Sequence, residues 1–106
     1  MTKHKEECEV LIQAELADII EEHGLFASQH EGYSVIREEL REAKCEYKSA
    51  KESLKDLEDA IWMGSDSMAV DAAHRIDKAA TNLVKEAMQV AATARKFKVT
   101  FGKRGE

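Results

Sequence analysis

The sequence predicts an all-α fold: a long antiparallel helical hairpin with an N-terminal helix packed across it, associating into a helical bundle. Three observations carry this. The 106 residues contain no proline, and aromatic residues make up 6 % against 35 % charged, a composition suited to long helices and poorly suited to sheets. Two stretches of about thirty residues each place apolar side chains at alternating steps of three and four, the rhythm of a helix packed along another helix. A short glycine-containing break separates the two stretches.

The first helix is expected from about Lys5 to His23, burying Cys8, Leu11, Ile12, Leu16, Ile19 and Ile20 on one broad face. Gly24 ends it, as glycine does just past a helix C-terminus. In the connector "LFASQHEG", Ser28 is the expected N-cap of the next helix, with Glu31 three residues on completing a capping box.

The second helix is expected from about Gln29 to Trp62. Its seam runs through Tyr33, Ile36, Leu40, Ala43, Tyr47, Ala50, Leu54, Leu57 and Ile61. In "MGSDS", Gly64 supplies the turn, and Ser65 or Asp66 caps the third helix. That helix is expected from about Ser67 to Lys98, with Ala69, Ala73, Ile76, Ala80, Leu83, Ala87, Val90, Ala94 and Phe97 on its seam. Residues 1–106 read as one small domain whose basic, glycine-punctuated tail frays from residue 99. Trp62 and Met63 at the tip, like Tyr33 and Tyr47 on the seam, are expected in core or dimer packing. Helices this long in so short a chain call for a partner, so a homo-oligomer, a dimer or larger, is expected.

A formal net charge of −5 weighs against nucleic acid as the main ligand, since affinity for a phosphate backbone comes largely from Lys and Arg. No apolar run approaches the ~20 residues that cross a bilayer, and "MTKHKEE" has no signal-peptide core. Cys8 and Cys45 stand apart from each other and from any zinc-binding spacing. They are expected to be small, buried, reduced thiols of a cytoplasmic protein.

Chemistry enters with the carboxylates. With Tyr33 and Ala73 placed on the seam, Glu39, Glu42 and Glu46 fall on one shoulder of the second helix, and Glu86 and Gln89 on the matching shoulder of the third. Folding the chain about Gly64 puts Glu42 opposite Glu86 and Glu39 opposite Gln89. Two pairs, each three residues apart on a helix face, would then converge. Carboxylates gathered this way repel unless a cation lies among them. A hard divalent cation such as Mg²⁺ takes oxygen ligands of this type and recruits phosphates. Glu38, beside Glu39, is the candidate for orienting a water. Arg95, Lys96 and Lys98 come one to two turns after Gln89 and are candidates for meeting the phosphates that such a cation recruits. The simpler alternative is a solvated acidic helix face with a cationic C-terminal turn that complements the helix dipole.

The stretch "VIREELREA", with "LVKEAMQVAATA" downstream, resembles the MazG-like all-alpha NTP pyrophosphatases, in particular short phage and prophage forms. The resemblance covers residues 24–97. It implies a helical oligomer that holds Mg²⁺ with an E-x-x-E pair and a later E-x-x-D pair, and hydrolyses an NTP or dNTP to the monophosphate and pyrophosphate. Glu39 and Glu42 stand for the first pair and Glu86 for the start of the second. Gln89 stands where the family has aspartate; its amide oxygen can coordinate a cation but brings no charge and cannot act as a base. Two alternatives therefore stay open beside hydrolysis: a protein that binds and sequesters a nucleotide without turnover, and a helical interaction module with no small ligand.

Overall fold

The computed structural model describes residues 2–102. Among them are three helices and no strand: α1 (Thr2–His23), α2 (Gln29–Trp62) and α3 (Asp66–Phe101). The fold is all-α, as the sequence predicts. None of these helices is long and apolar enough to cross a membrane.

Local chemistry sets the helix ends. Gly24 takes a positive φ of 70° and its N–H closes onto the Ile20 carbonyl at 2.7 Å, which satisfies one carbonyl orphaned at the end of α1. At the start of α2 the Glu31 N–H donates to Ser28 Oγ at 3.1 Å. The returning arm of the box differs slightly from expectation: Glu31 Oε1 accepts from Ala27 N–H rather than from Ser28. Gly64, at φ 69°, ends α2 in a Schellman motif. Ser65 N–H bonds the Ala60 carbonyl and Gly64 N–H the Ile61 carbonyl, both at 3.1 Å. Of the two expected caps for α3, Ser65 acts, its Oγ accepting from Met68 N–H.

The chain forms two compact units. One unit joins the segment up to Leu40 with the segment from Glu86 onward. Here α1 packs on the first part of α2 and the last part of α3, around Leu16, Phe26, Ala92 and Phe101. Phe97 stacks between Phe26 and Phe101, at centroid distances of 6.3 and 4.8 Å. α3 thus continues past the expected end at Lys98. Residues 99–101 are helical rather than frayed, because Phe101 is buried against Phe97 and Thr100 Oγ1 accepts from Phe26 N–H. The rest of the expected tail, residues 103–106, lies outside the described residues.

The other unit, Arg41–Lys85, is an antiparallel hairpin of the remainder of α2 and the first part of α3. Its centre is made of small residues, Ser53, Ala60, Ala72 and Ala79, all buried. Small side chains let two helix backbones approach closely. On its surface Arg75 bonds both Asp71, one turn away on α3, and Asp56 on α2.

Within each unit one row of the expected seam holds, with Ile36, Ala43, Ala50 and Leu57 on α2 and Ala69, Ile76, Leu83, Val90, Ala94 and Phe97 on α3 all covered, and the other row is displaced by one position. On α2 the covered positions include Gly32 and Glu39 in the first unit, and Glu46, Ser53 and Ala60 in the second. On α3 Ala72, Ala79, Glu86 and Thr93 are covered, while Ala73, Ala80 and Ala87 are exposed. Tyr33, Leu40, Tyr47, Leu54 and Ile61 are therefore not core: each is more than half exposed. Trp62 and Met63 are exposed too. Cys8 and Cys45 are exposed rather than buried. Leu11 is exposed with Cys8, and burial on α1 begins only at Ile12. Ahead of that point an ion pair, Glu9 with Arg95, ties α1 to α3.

Candidate functional site

The one-position displacement moves glutamates from the shoulder toward the seam. Glu39 and Glu86 are both half-buried, and each offers a carboxylate oxygen within 4.8 Å of the other. Glu42 lies one helical turn beyond Glu39 on α2, is exposed, and offers an oxygen within the same distance of Glu39. Glu39 thus meets Glu86, where the fold-back about Gly64 had set it opposite Gln89. Glu38 is exposed and does not join this group.

Beside these carboxylates the first unit holds a cleft of about 390 Å³. Its lining joins α1 (Ile19, His23), the connector (Phe26), α2 (Glu31, Val35, Glu39) and α3 (Gln89, Thr93, Lys96). Lys96 is only 6 % exposed. Its stem lies in the core and its ammonium sits 4.3 Å from the centroid of the Phe26 ring, a cation–π contact. No carboxylate among the described residues pairs with it, although Glu31 and Glu39 line the same cleft. Lys96 thus carries its charge to the cleft on a buried stem and leaves it available to an anion.

The other two expected phosphate-binding cations are placed differently. Arg95 is committed to Glu9 by a two-pronged contact of 3.0 and 2.7 Å, a geometry that matches guanidinium to carboxylate. That hydrogen bond, helped by the Arg95 charge, holds the Glu9 carboxyl below its ordinary value, and raises Arg95 in turn. Lys98 is exposed and does not line the cleft.

Gln89 lines the cleft, half-buried, and its Nε2 donates to Glu15 Oε1 at 2.7 Å. Sequence reasoning missed Glu15, and also His23 and Glu31 as lining residues. Glu15 carries no motif, and only the register of α1 against α3 reveals it. Its one sequence signal is a polar residue directly beside Leu16, within the apolar face of α1. On the opposite side of this part of α2 lies a more apolar groove, lined by His30, Tyr33, Ile36, Leu40 and Phe97.

The donor set suits a hard cation. Bonds of about 2.1 Å to Mg²⁺ put neighbouring ligand oxygens roughly 3–4 Å apart. The Glu39 and Glu86 oxygens, within 4.8 Å of each other, lie close to that spacing. No known family model matches the chain, no curated protein matches it, and no solved structure matches it.

Proposed function

We propose that the protein binds a nucleoside triphosphate, an NTP or dNTP, through Mg²⁺ and hydrolyses it to the monophosphate and pyrophosphate, as a MazG-like NTP pyrophosphatase of the phage type acting in the cytoplasm. The observation that carries this reading is Lys96. It is a lysine whose stem is buried and which has no ion pair among the described residues, in a cleft that also contains Glu39. Carboxylates alone would speak only for a cation, and a lysine alone only for an anion. Together they fit a ligand that brings both, a metal-bound polyphosphate.

In this reading Glu39 and Glu86 hold the cation, with Gln89 as a neutral third ligand; Glu42, one turn beyond Glu39 on the same helix, is the further carboxylate that the resemblance assigns to it. Bound there, Mg²⁺ would offset the negative charge that develops on the phosphates. Lys96 binds a phosphate oxygen in the same cleft, and Phe26 keeps its ammonium in place. Glu38 stands outside the cleft lining, so it would act on a water only across the exposed side of α2.

That position of Glu38, together with the amide at Gln89, favours a second reading: nucleotide binding without turnover, as in a sequestering protein. Calorimetry with a panel of nucleotides and Mg²⁺, with product analysis afterwards, separates the readings. Binding with pyrophosphate released supports the enzyme, and binding of intact nucleotide supports sequestration. No binding leaves a helical interaction module, in which the glutamates are only a polar seam.

A further inference from the structure

We propose that Glu15 is a positioning residue: it sets the sense of the Gln89 amide so that Gln89 serves a bound cation with its oxygen rather than opposing it with its NH₂. This rests on the cation reading of Glu39 and Glu86 given above. It adds a role for α1, which contributes none of those carboxylates.

A glutamine amide can present either of two faces, an acceptor oxygen or a donor nitrogen, and the two have nearly the same shape. In a cation site only one of them works. The oxygen is a ligand, whereas the NH₂ brings partial positive charge toward the metal. An aspartate or glutamate has no such ambiguity. A glutamine ligand therefore needs a neighbour that distinguishes nitrogen from oxygen.

Glu15 is such a neighbour. An ionised carboxylate only accepts hydrogen bonds, so the group 2.7 Å from Glu15 Oε1 must be Nε2 of Gln89. That contact fixes the amide and leaves its oxygen with no hydrogen bond from the described protein, on a residue that lines the cleft beside Glu39. The bond is charge-assisted and part-buried, which makes it a strong bias toward one sense. Lys96, also in the cleft lining, is the independent sign that a ligand enters there. Glu15 thereby keeps one negative charge close to the position where the resembled family has its aspartate, one residue removed from the metal. Outer partners that orient a ligand in this way are common at metal sites.

The test is a cycle of isosteric changes read by Mn²⁺ binding, monitored through the loss of the free-ion electron-spin signal, with Mn²⁺ alone as the probe. In the natural background, Glu15→Gln lets the amide take both senses and lowers Mn²⁺ affinity by about tenfold, the low end for loss of an orienting partner. In the Gln89→Glu background the same Glu15→Gln change lowers affinity by no more than about threefold. A carboxylate at residue 89 has no sense to set, so only the loss of a nearby negative charge remains. A much smaller loss in this background than in the natural one is the expected result. A Glu15 that acted only as a nearby negative charge would lower affinity by the same factor in both backgrounds, and that outcome overturns the positioning role alone. Absence of Mn²⁺ binding by the unmodified protein at millimolar ion overturns the cation reading and the role of Glu15 together. Thermal melts of all four proteins identify any variant that has lost its fold, and Glu15→Asp serves as the conservative control that keeps the acceptor.

Discussion

The backbone of Gly32 lies against the ring of Phe97 so closely that a Cβ at residue 32 would fall 2.5 Å from Phe97 Cδ2 and 3.1 Å from Phe26 Cδ2. Helix propensity alone favours alanine over glycine by about 1 kcal/mol in a helix interior. Here the close approach decides. Phe97 cannot swing away cheaply, because Phe26 and Phe101 flank it. Gly32→Ala is therefore expected to destabilise the protein by about 1–3 kcal/mol, the usual cost of overpacking. It should also disturb the cleft through Phe26. A urea titration checks this; a rise in midpoint would mean that the aromatic group yields and propensity wins.

The pair of Glu9 and Arg95 makes the attachment of α1 sensitive to acid. Hydrogen bonding to Arg95 lowers the Glu9 carboxyl in the folded chain from its ordinary value of 4.5. The unfolded state then binds more protons than the folded state between the two values. The stabilisation is fully present above the ordinary value and is lost as pH falls through the lowered one. The pair is at the surface, so the effect is small and weakens with salt. Urea midpoints of the protein and of Glu9→Gln should differ at neutral pH and converge as pH falls below 4.5 and through the lowered value. A constant difference across that range would show that Glu9 acts by packing and not by charge.

What the sequence revealed and what it hid have separate physical causes. The ends of α2 were legible to the residue, because Ser28, Glu31 and Gly64 are local chemistry that acts within one turn. One row of the seam, Ile36, Ala43, Ala50 and Leu57 on α2, was legible as well, but the position of the other row was not. Sequence reading tracks the largest apolar side chains, Tyr33, Leu40, Tyr47, Leu54 and Ile61. Close pairing of helices selects small ones, and Gly32, Ser53, Ala60, Ala72 and Ala79 are the buried ones. The shoulder positions of Glu39 and Glu86 survived a displacement of one residue on both helices, because displacing both rows moves the pair inward together. The contact of Gln89 with Glu15 was illegible, since nothing local encodes how α1 registers on α3. Arg95, Lys96 and Lys98 look alike in sequence, but only Lys96 lines the cleft.

Those three cations give a three-way prediction. Lys96→Met keeps the length of a buried stem and removes the charge, so it should leave stability equal or higher while weakening binding of Mg²⁺-pyrophosphate by about tenfold or more. Lys98→Met changes an exposed side chain and should alter neither quantity. Arg95→Met breaks the contact with Glu9 and should lower stability with little change in affinity. Calorimetry and melting curves on the three variants check this together. Equal losses of affinity for all three would mean diffuse attraction and no specific phosphate contact.

The remaining prediction concerns the side chains that the displaced row left outside. On α2 Tyr33 and Leu40 in one unit, and Tyr47, Leu54 and Ile61 in the other, recur every seven residues and are 61, 52, 54, 58 and 65 % exposed. Such a run on one helix has the spacing of a helix-pairing seam. Lys44, Lys48, Lys51 and Lys55 line its flank, each three or four residues from the next, a spacing at which like charges repel. The ammonium of Lys51 lies 5.8 Å over the Tyr47 ring. A second copy can answer both features. It brings the same apolar run, and its α1, after Lys3 and Lys5, carries Glu6, Glu7, Asp18, Glu21 and Glu22 besides the committed Glu9 and Glu15. We therefore expect a dimer at micromolar concentration that weakens with added salt. Leu54→Lys should raise its dissociation constant at least about thirtyfold, since two half-exposed leucines lose their further burial and two cations join a basic flank. Because Leu54 is exposed within the single chain, helicity should be preserved. Sedimentation of both proteins checks this. A monomer in both, or a dimer indifferent to Leu54→Lys, would leave the apolar run of α2 without a role in self-association.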